Sequence, residues 1–263
     1  MSVVERLNLH YEYAKQKIEE DRIIGLFLAG SQNYGTALEN SDVDTKLLIV
    51  PSLNDIYKNK KGESSTFNIP DKSGEQMSIK DIRCALNELK KQNLNMLEIL
   101  FTDYNIINPT YKDIWNELQE NREKIVKYDK LAAIKTTKGI ALNVYDRLFT
   151  PEGQINCKQT ANLVRLEYYL RKYIDGMPYL DCIKPGGQDH DYIMQIRNHE
   201  LGQGALQCIA DNAIDTIKLL ADTYAKRTDI DNLDYEVDKL LNNCCEEFID
   251  TAFIKEFAMK GVL

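Results

Sequence analysis

The chain has 263 residues, 43% of them hydrophobic, and a formal charge of −8, which is enough for one large or two modest globular domains with a real core. Its longest apolar runs are far too short to cross a bilayer and its first residues lack the basic-then-apolar layout of a secretion signal, so an intracellular, cytoplasmic protein with no membrane span is expected. The acidic balance argues against a surface coated with polyanion-binding groups but permits a local basic groove, and six scattered cysteines without a CxxC pair, beside three histidines, indicate neither a zinc cluster nor a disulfide scaffold.

Val3, Val4, Leu7, Tyr11, Ala14 and Ile18 recur at helical spacing and predict an amphipathic first helix ending near the charged stretch Glu19 to Arg22. The continuous apolar run Ile23 to Ala29, closed by Gly30-Ser31, suits a buried strand better than a two-turn helix. A polar segment, GSQNYGTALENS, leads to a second strand candidate, DVDTKLLIV, that stops at Pro51. Ser52 to Ser73 is polar and rich in Lys, Asn, Ser and Gly, and reads as a loop or flexible insertion. A third strand candidate, about Glu75 to Ile79, runs into a helix marked by Ser78 and Asp81 at capping-box spacing and reaching about Gln92. MLEILF and the segment to Asn108-Pro109 form a compact apolar link.

Beyond Tyr111 the pattern is helical: about Lys112 to Lys124, Tyr128 to Leu148, Lys158 to Ile174, Asp189 to Arg197, Gly204 to Arg227 and Tyr235 to Lys260. Glycine and proline punctuate this part at Gly176 to Pro178 and Pro185 to Gly187. The fold class is therefore α+β, with a small mixed-sheet core over residues 1–110 followed by an all-helical C-terminal domain over residues 111–263.

The chemistry concentrates where the first strand delivers Gly30-Ser31 and, twelve residues after Gly30, the second begins with Asp42-Val43-Asp44. Gly30 permits a sharp turn and close approach to a ligand, and Ser31 with the following amides can cradle phosphate oxygens. Strand alternation points Asp42 and Asp44 to one face and Val43 to the other. Two carboxylates on one face repel unless a cation sits between them, and hard oxygen ligands suit Mg2+ or Mn2+. Lys46 shares that face and either neutralises a phosphate or pairs with the carboxylates. A lone Asp-x-Asp or a lone Gly-Ser is commonplace; their joint occurrence between two apolar strands is far more specific.

GSQNYG…SDVDTK resembles the signature of the DNA polymerase β-like nucleotidyltransferase superfamily, a Gly-Ser followed about ten residues later by Asp-x-Asp. With IKDIRCALNELKKQNLNMLEILF, KQTANLVRLEYYLRKYIDG and YIMQIRNHELGQG, the chain is most similar to the predicted nucleotidyltransferases of the RNA-repair-pathway DNA polymerase β family, over most of residues 23 to 205. The first motif is the specific one. The family tends to carry a histidine shortly before the LxRL segment, where this chain has Asn162.

That resemblance implies a nucleotidyltransferase core that moves a nucleoside monophosphate from a nucleoside triphosphate to a hydroxyl acceptor, an RNA (tRNA) 3′ end being the acceptor the family suggests. Asp42 and Asp44 would hold the metal. A third acid is expected on a neighbouring strand: Glu75, in the third strand candidate, is preferred, with Asp81 the rival, although a helix N-terminus alone favours an acid there. Glu98, in an apolar stretch, is read as the anchor of a buried basic residue. Lys158 and Arg165, seven apart on one helix face, and Arg197 are candidates for triphosphate or acceptor contacts, and Tyr34, Tyr168, Tyr169 and Tyr173 for base stacking or packing.

Two other classes compete: a nucleotide-binding regulatory or toxin-antitoxin-type partner, and a transferase acting on a protein or small molecule. A phosphohydrolase is disfavoured because His10, His190 and His199 all lie far from the acidic pair in sequence. No motif specifies the preferred nucleotide or the oligomeric state.

Overall fold

The structure, a computed structural model, describes residues 1–70, 74–227 and 233–259. Helix α1 (Val3–Lys17) opens with a capping box in which Ser2 and Glu5 satisfy each other's backbone amides. After a 3-10 turn at Glu20–Arg22 come β1 (Ile23–Ala29), the single-turn α2 (Ser31–Tyr34) and β2 (Asp44–Ile49). Helix α3 (Leu53–Tyr57), β3 (Ser64–Asn68), β4 (Gln76–Asp81), α4 (Ile82–Lys90) and α5 (Leu94–Leu97) precede a short last strand, β5 (Asn105–Ile107). The rest is helical apart from an isolated bridge at Phe149 and Ile155: α6 (Lys112–Glu120), α7 (Arg122–Ile125), α8 (Lys130–Tyr145), α9 (Cys157–Ile174), α10 (Tyr179–Ile183), α11 (Gly187–Arg197), α12 (Gln203–Tyr224) and α13 (Tyr235–Met259).

The strands form one mixed sheet in the order β3-β4-β2-β1-β5, with β2 and β4 parallel and the other neighbours antiparallel. Every residue of β1 is buried, as expected of a continuous apolar run hydrogen-bonded on both sides and covered on both faces. One face packs against α1 through Leu7, Ala14, Leu26, Leu47, Ile49, Met77 and Ile79. The other face, through Ile24, Phe27, Leu48 and Val50, joins a single apolar core that continues through Trp115, Leu166, Ile196 and Ile217 of the later helices. Trp115 lies against Phe27 at 4.3 Å between ring centroids. Residue 110 thus marks the change from mixed to helical secondary structure, and the core runs across it without interruption.

The chain departs from the sequence expectations in several places. The stretch expected as a loop from Ser52 to Ser73 contains α3, capped reciprocally by Ser52 and Asp55, and the edge strand β3; its residues 71–73 lie outside those described. Ser78 caps nothing, because it sits inside β4, and Asp81 itself accepts the Arg83 amide as the N-cap of α4. The apolar link contains α5 and β5, the interval between the Gly-Pro segments contains α10, and the helix expected over 112–124 breaks into α6 and α7 at Asn121. Residue 260, the end of the predicted last helix, lies outside the described residues. None of the six cysteines is in a disulfide, and among the described residues no helix is long and apolar enough to cross a membrane.

Candidate functional site

β1 ends at Ala29, and Gly30 turns the chain with φ 73° and ψ −151°, a conformation that side chains other than hydrogen disfavour. A Cβ there would also meet Asp44 Oδ2 at 3.3 Å. Beside β1, β2 starts at Asp44, which faces a cavity of about 430 Å³ between the sheet and helices α9 and α11. Gly30, Ser31, Asp44 and Lys46 line the cavity from the sheet side, and Lys158, Arg165 and Arg197 from the helical side, so seven of the nine residues singled out in the sequence meet here.

Asp42, just ahead of β2, lies close enough to Asp44 to disfavour its ionisation. Burial is the larger reason that the Asp44 carboxyl titrates above the usual carboxylate range; Lys158 and Lys46 and the Gln76 amide pull the other way. Asp42 rests on Gly74, where a Cβ would fall 2.5 Å from its Oδ1 and where φ is +86°. Lys46 does not reach the carboxylates: its Nζ lies 2.5 Å from Oε1 of Glu98, which is 1% exposed. Glu98 Oε2 accepts the Gly30 amide at 3.2 Å, and the buried Asn33 amide donates to the same carboxylate. Glu98 therefore anchors a basic residue, as expected, and fixes the Gly30 turn as well.

The cations of the helical side are arranged differently. Arg165, 5% exposed, stacks over the Tyr34 ring at 3.9 Å and donates Nε and Nη2 to Asn162 Oδ1 at 3.2 and 2.8 Å. Its Nη1 is buried without a partner among the described residues. Arg197 reaches Ser41 Oγ at 3.5 Å through Nη2, its buried Nε has no partner among the described residues, and burial lowers its pKa. Among the described residues no carboxylate pairs with Lys158, Arg165 or Arg197.

Glu75 is not brought to this cavity. β4 pairs with β2 in the register Thr45 to Met77, which sets Gln76 beside Asp44 and turns Glu75 to the opposite face. There Glu75, 5% exposed, is paired with Arg6 and His10. Burial opposes its ionisation, but the bonds from His10 and Arg6 outweigh that and hold its pKa below the usual value. The rival acid, Asp81, lies at the far end of β4 as a helix cap paired with Arg83. Among the described residues no group of three or more His, Cys, Asp or Glu side chains is arranged to hold a metal. Asp81→Ala is expected to cost stability by about 1 kcal/mol, the usual worth of an N-cap, with any activity of the cavity unchanged; an activity loss larger than the melting shift explains would return Asp81 to the site.

His10, far from the acidic pair in sequence, lies directly behind it in space. Its Nδ1 is 2.9 Å from Thr45 Oγ1 and its Nε2 is 2.7 Å from Glu75. The sequence did carry a signal: His10 falls on the buried stripe of α1 with Leu7 and Ala14, where a polar residue demands a partner.

Burial lowers the His10 pKa below 6.5 despite Glu75, which favours the charged form; Arg6 and Asp44 act more weakly in opposite senses. Between that lowered value and 6.5 the unfolded chain binds more protons than the folded one, so stability falls as pH drops through this window. The depressed Glu75 adds a further loss below 4.5. Melting temperatures at pH 7.5 and 5.5 should therefore fall further for the wild type than for His10→Gln, a comparison in which the common change of net charge cancels. Parallel profiles would show that His10 titrates normally.

No protein-family model matches this chain, and no curated protein matches it.

Proposed function

We propose that the cavity binds a nucleoside triphosphate with Mg2+ or Mn2+ and transfers its nucleotidyl group to a hydroxyl acceptor, with the fold of a polymerase β-like nucleotidyltransferase. One observation carries this reading: Arg165 and Arg197, each with a buried guanidinium nitrogen that has no acceptor among the described residues, line the same cavity as a carboxylate whose ionisation is disfavoured. Unsatisfied positive donors and crowded negative oxygens in one space are both relieved by a metal-bound polyphosphate. The residues fit such a metal, because Mg2+ is commonly held by one or two carboxylates together with substrate phosphates. Asp42 and Asp44 supply those two.

A metal held there would neutralise charge at the reacting phosphorus and promote ionisation of the acceptor hydroxyl. The chain's own contribution is positioning. Arg165, pinned by Asn162 and Tyr34, offers one fixed donor to a phosphate oxygen, while Lys158 and Arg197 balance the charge of the leaving pyrophosphate. Gly30, locked by Glu98, lets Ser31 approach the phosphates without an intervening side chain. An RNA (tRNA) 3′ end is the acceptor that the sequence resemblance favours; a protein or small-molecule hydroxyl would use the same cavity.

A second reading, a nucleotide-binding regulatory protein of the toxin-antitoxin type, draws on Gln76, which occupies the strand position beside Asp44 where a third carboxylate would complete the acidic face. Incubation with α-labelled ATP, CTP, GTP and UTP, total RNA and total protein, in Mg2+ or Mn2+, separates the two. Label in RNA that vanishes in Asp42→Ala/Asp44→Ala supports end tailing or repair, and label in protein supports a protein-modifying transferase. Nucleotide binding with neither label nor pyrophosphate release overturns a transferase acting on RNA or protein and leaves the regulatory reading or a small-molecule acceptor.

A further inference from the structure

Behind the candidate site, on the face of the sheet that α1 covers, runs a circuit of hydrogen bonds with two ends. Glu75 is held ionised by its partners and its carboxylate can only accept, so His10 Nε2 carries the proton of the 2.7 Å contact. Burial disfavours the charged imidazole, so above pH 6.5 the ring with its proton on Nε2 has Nδ1 free to accept the Thr45 hydroxyl at 2.9 Å. Arg6 donates Nε to the other Glu75 oxygen at 2.7 Å and Nη1 to the Ser41 carbonyl at 3.1 Å. The circuit thus begins on Thr45 and ends on Ser41, the two residues that flank Asp42-Val43-Asp44. Gly74, the neighbour of Glu75, is the surface on which the Asp42 carboxylate rests.

We infer that Glu75, His10 and Arg6 are positioning residues that fix the separation and direction of the Asp42 and Asp44 carboxylates from the reverse side of the strand. This rests on the reading of those carboxylates as a metal-triphosphate site. Attachment of α1 does not by itself account for the circuit, because Leu7 and Ala14 already bury the helix against Leu26, Leu47 and Ile79, and buried ionic groups are a poor source of net stability. Their endpoints are what distinguish them: both ends grip backbone or hydroxyl groups one residue from a candidate ligand. Two mutually repelling carboxylates, one at the start of β2 and one in the segment just ahead of it, hold a fixed spacing when that stretch of chain is restrained, and outer partners of this kind set metal affinity.

The test is Mn2+ binding followed by electron paramagnetic resonance on the full chain, alone and with α,β-methylene ATP, for the wild type, Thr45→Val, Glu75→Gln and Ile217→Val. Thr45→Val removes one hydroxyl, at nearly constant shape, and so survives folding even if Glu75→Gln does not. Ile217→Val, in the distant helical core, matches loss of stability without touching the circuit. Thr45→Val and Glu75→Gln should weaken Mn2+ about tenfold or more, the usual scale for losing an outer partner, with metal-free nucleotide binding and the Ile217→Val affinity unchanged.

Wild-type Mn2+ affinity in both circuit variants overturns the inference and leaves the function intact. Equal weakening in Ile217→Val also overturns it, by assigning the effect to general stability. Mn2+ affinity that is the same in wild type and in Asp42→Ala/Asp44→Ala overturns the functional reading itself, and the inference with it.

Discussion

Asp44→Asn is expected to abolish the proposed nucleotidyl transfer while raising the melting temperature of the ligand-free protein. Under the proposed function, losing a carboxylate that would hold the reacting metal removes several kcal/mol of transition-state stabilisation, about a thousandfold or more in rate. The stability change runs the other way. Burial and Asp42 together raise the Asp44 pKa, so in the folded state the ionised form is disfavoured relative to the unfolded chain, and at neutral pH a neutral isostere relieves that cost. Label transfer from α-labelled nucleotide and a thermal melt on the same sample measure both quantities. Transfer within tenfold of wild type would remove Asp44 from the reaction, and a lowered melting temperature would mean that its carboxylate is structurally paired.

Glu98→Ala should be the most destabilising single change around the cavity. Removing it leaves the largely enclosed Lys46 without its counter-ion, takes the acceptor from the Gly30 amide, and leaves Asn33 only the backbone carbonyl of residue 98. Breaking a buried pair from one side costs about 3–5 kcal/mol, which for a chain of this size lowers Tm on the order of 10 °C. The double variant Lys46→Met/Glu98→Leu should recover a large part of that loss, because an apolar pair of similar volume leaves no buried charge. Both variants should bind nucleotide poorly, since Gly30 loses its anchor. A double variant no more stable than Glu98→Ala would show that Gly30 and Asn33, rather than Lys46, are what Glu98 supports.

The parts of this arrangement that could be read from the sequence are those with strong one-dimensional signals. β1 has the bounds expected of it because Arg22 and Gly30 close an unbroken apolar run. Lys158 and Arg165 share the cavity because a separation of seven returns to the same helix face. The failures share another cause. Whether Glu75 or Gln76 faces Asp44 depends on strand register, and a slip of one residue exchanges the two faces; nothing local to Gly74-Glu75-Gln76 encodes that register. β3 escaped notice because its exposed edge, Ser64 to Asn68, has little apolar alternation, and β5 because three residues set no period. His10 was legible only as an anomaly on an apolar stripe, since its partners Thr45 and Glu75 are 35 and 65 residues away.

The core that runs unbroken across residue 110 has a consequence for how such a protein can be divided and inherited. The candidate carboxylates come from one side of that point and the cavity-lining arginines from the other, so neither half carries the candidate site by itself and each would expose an apolar surface when made alone. Two separately expressed fragments, 1–110 and 111–263, are therefore suited to complementation, in which activity reappears only on reassembly. Recombination at this seam would separate the candidate acids from the candidate phosphate-binding cations, and so the two halves are expected to be transmitted as a unit, not exchanged like independent modules.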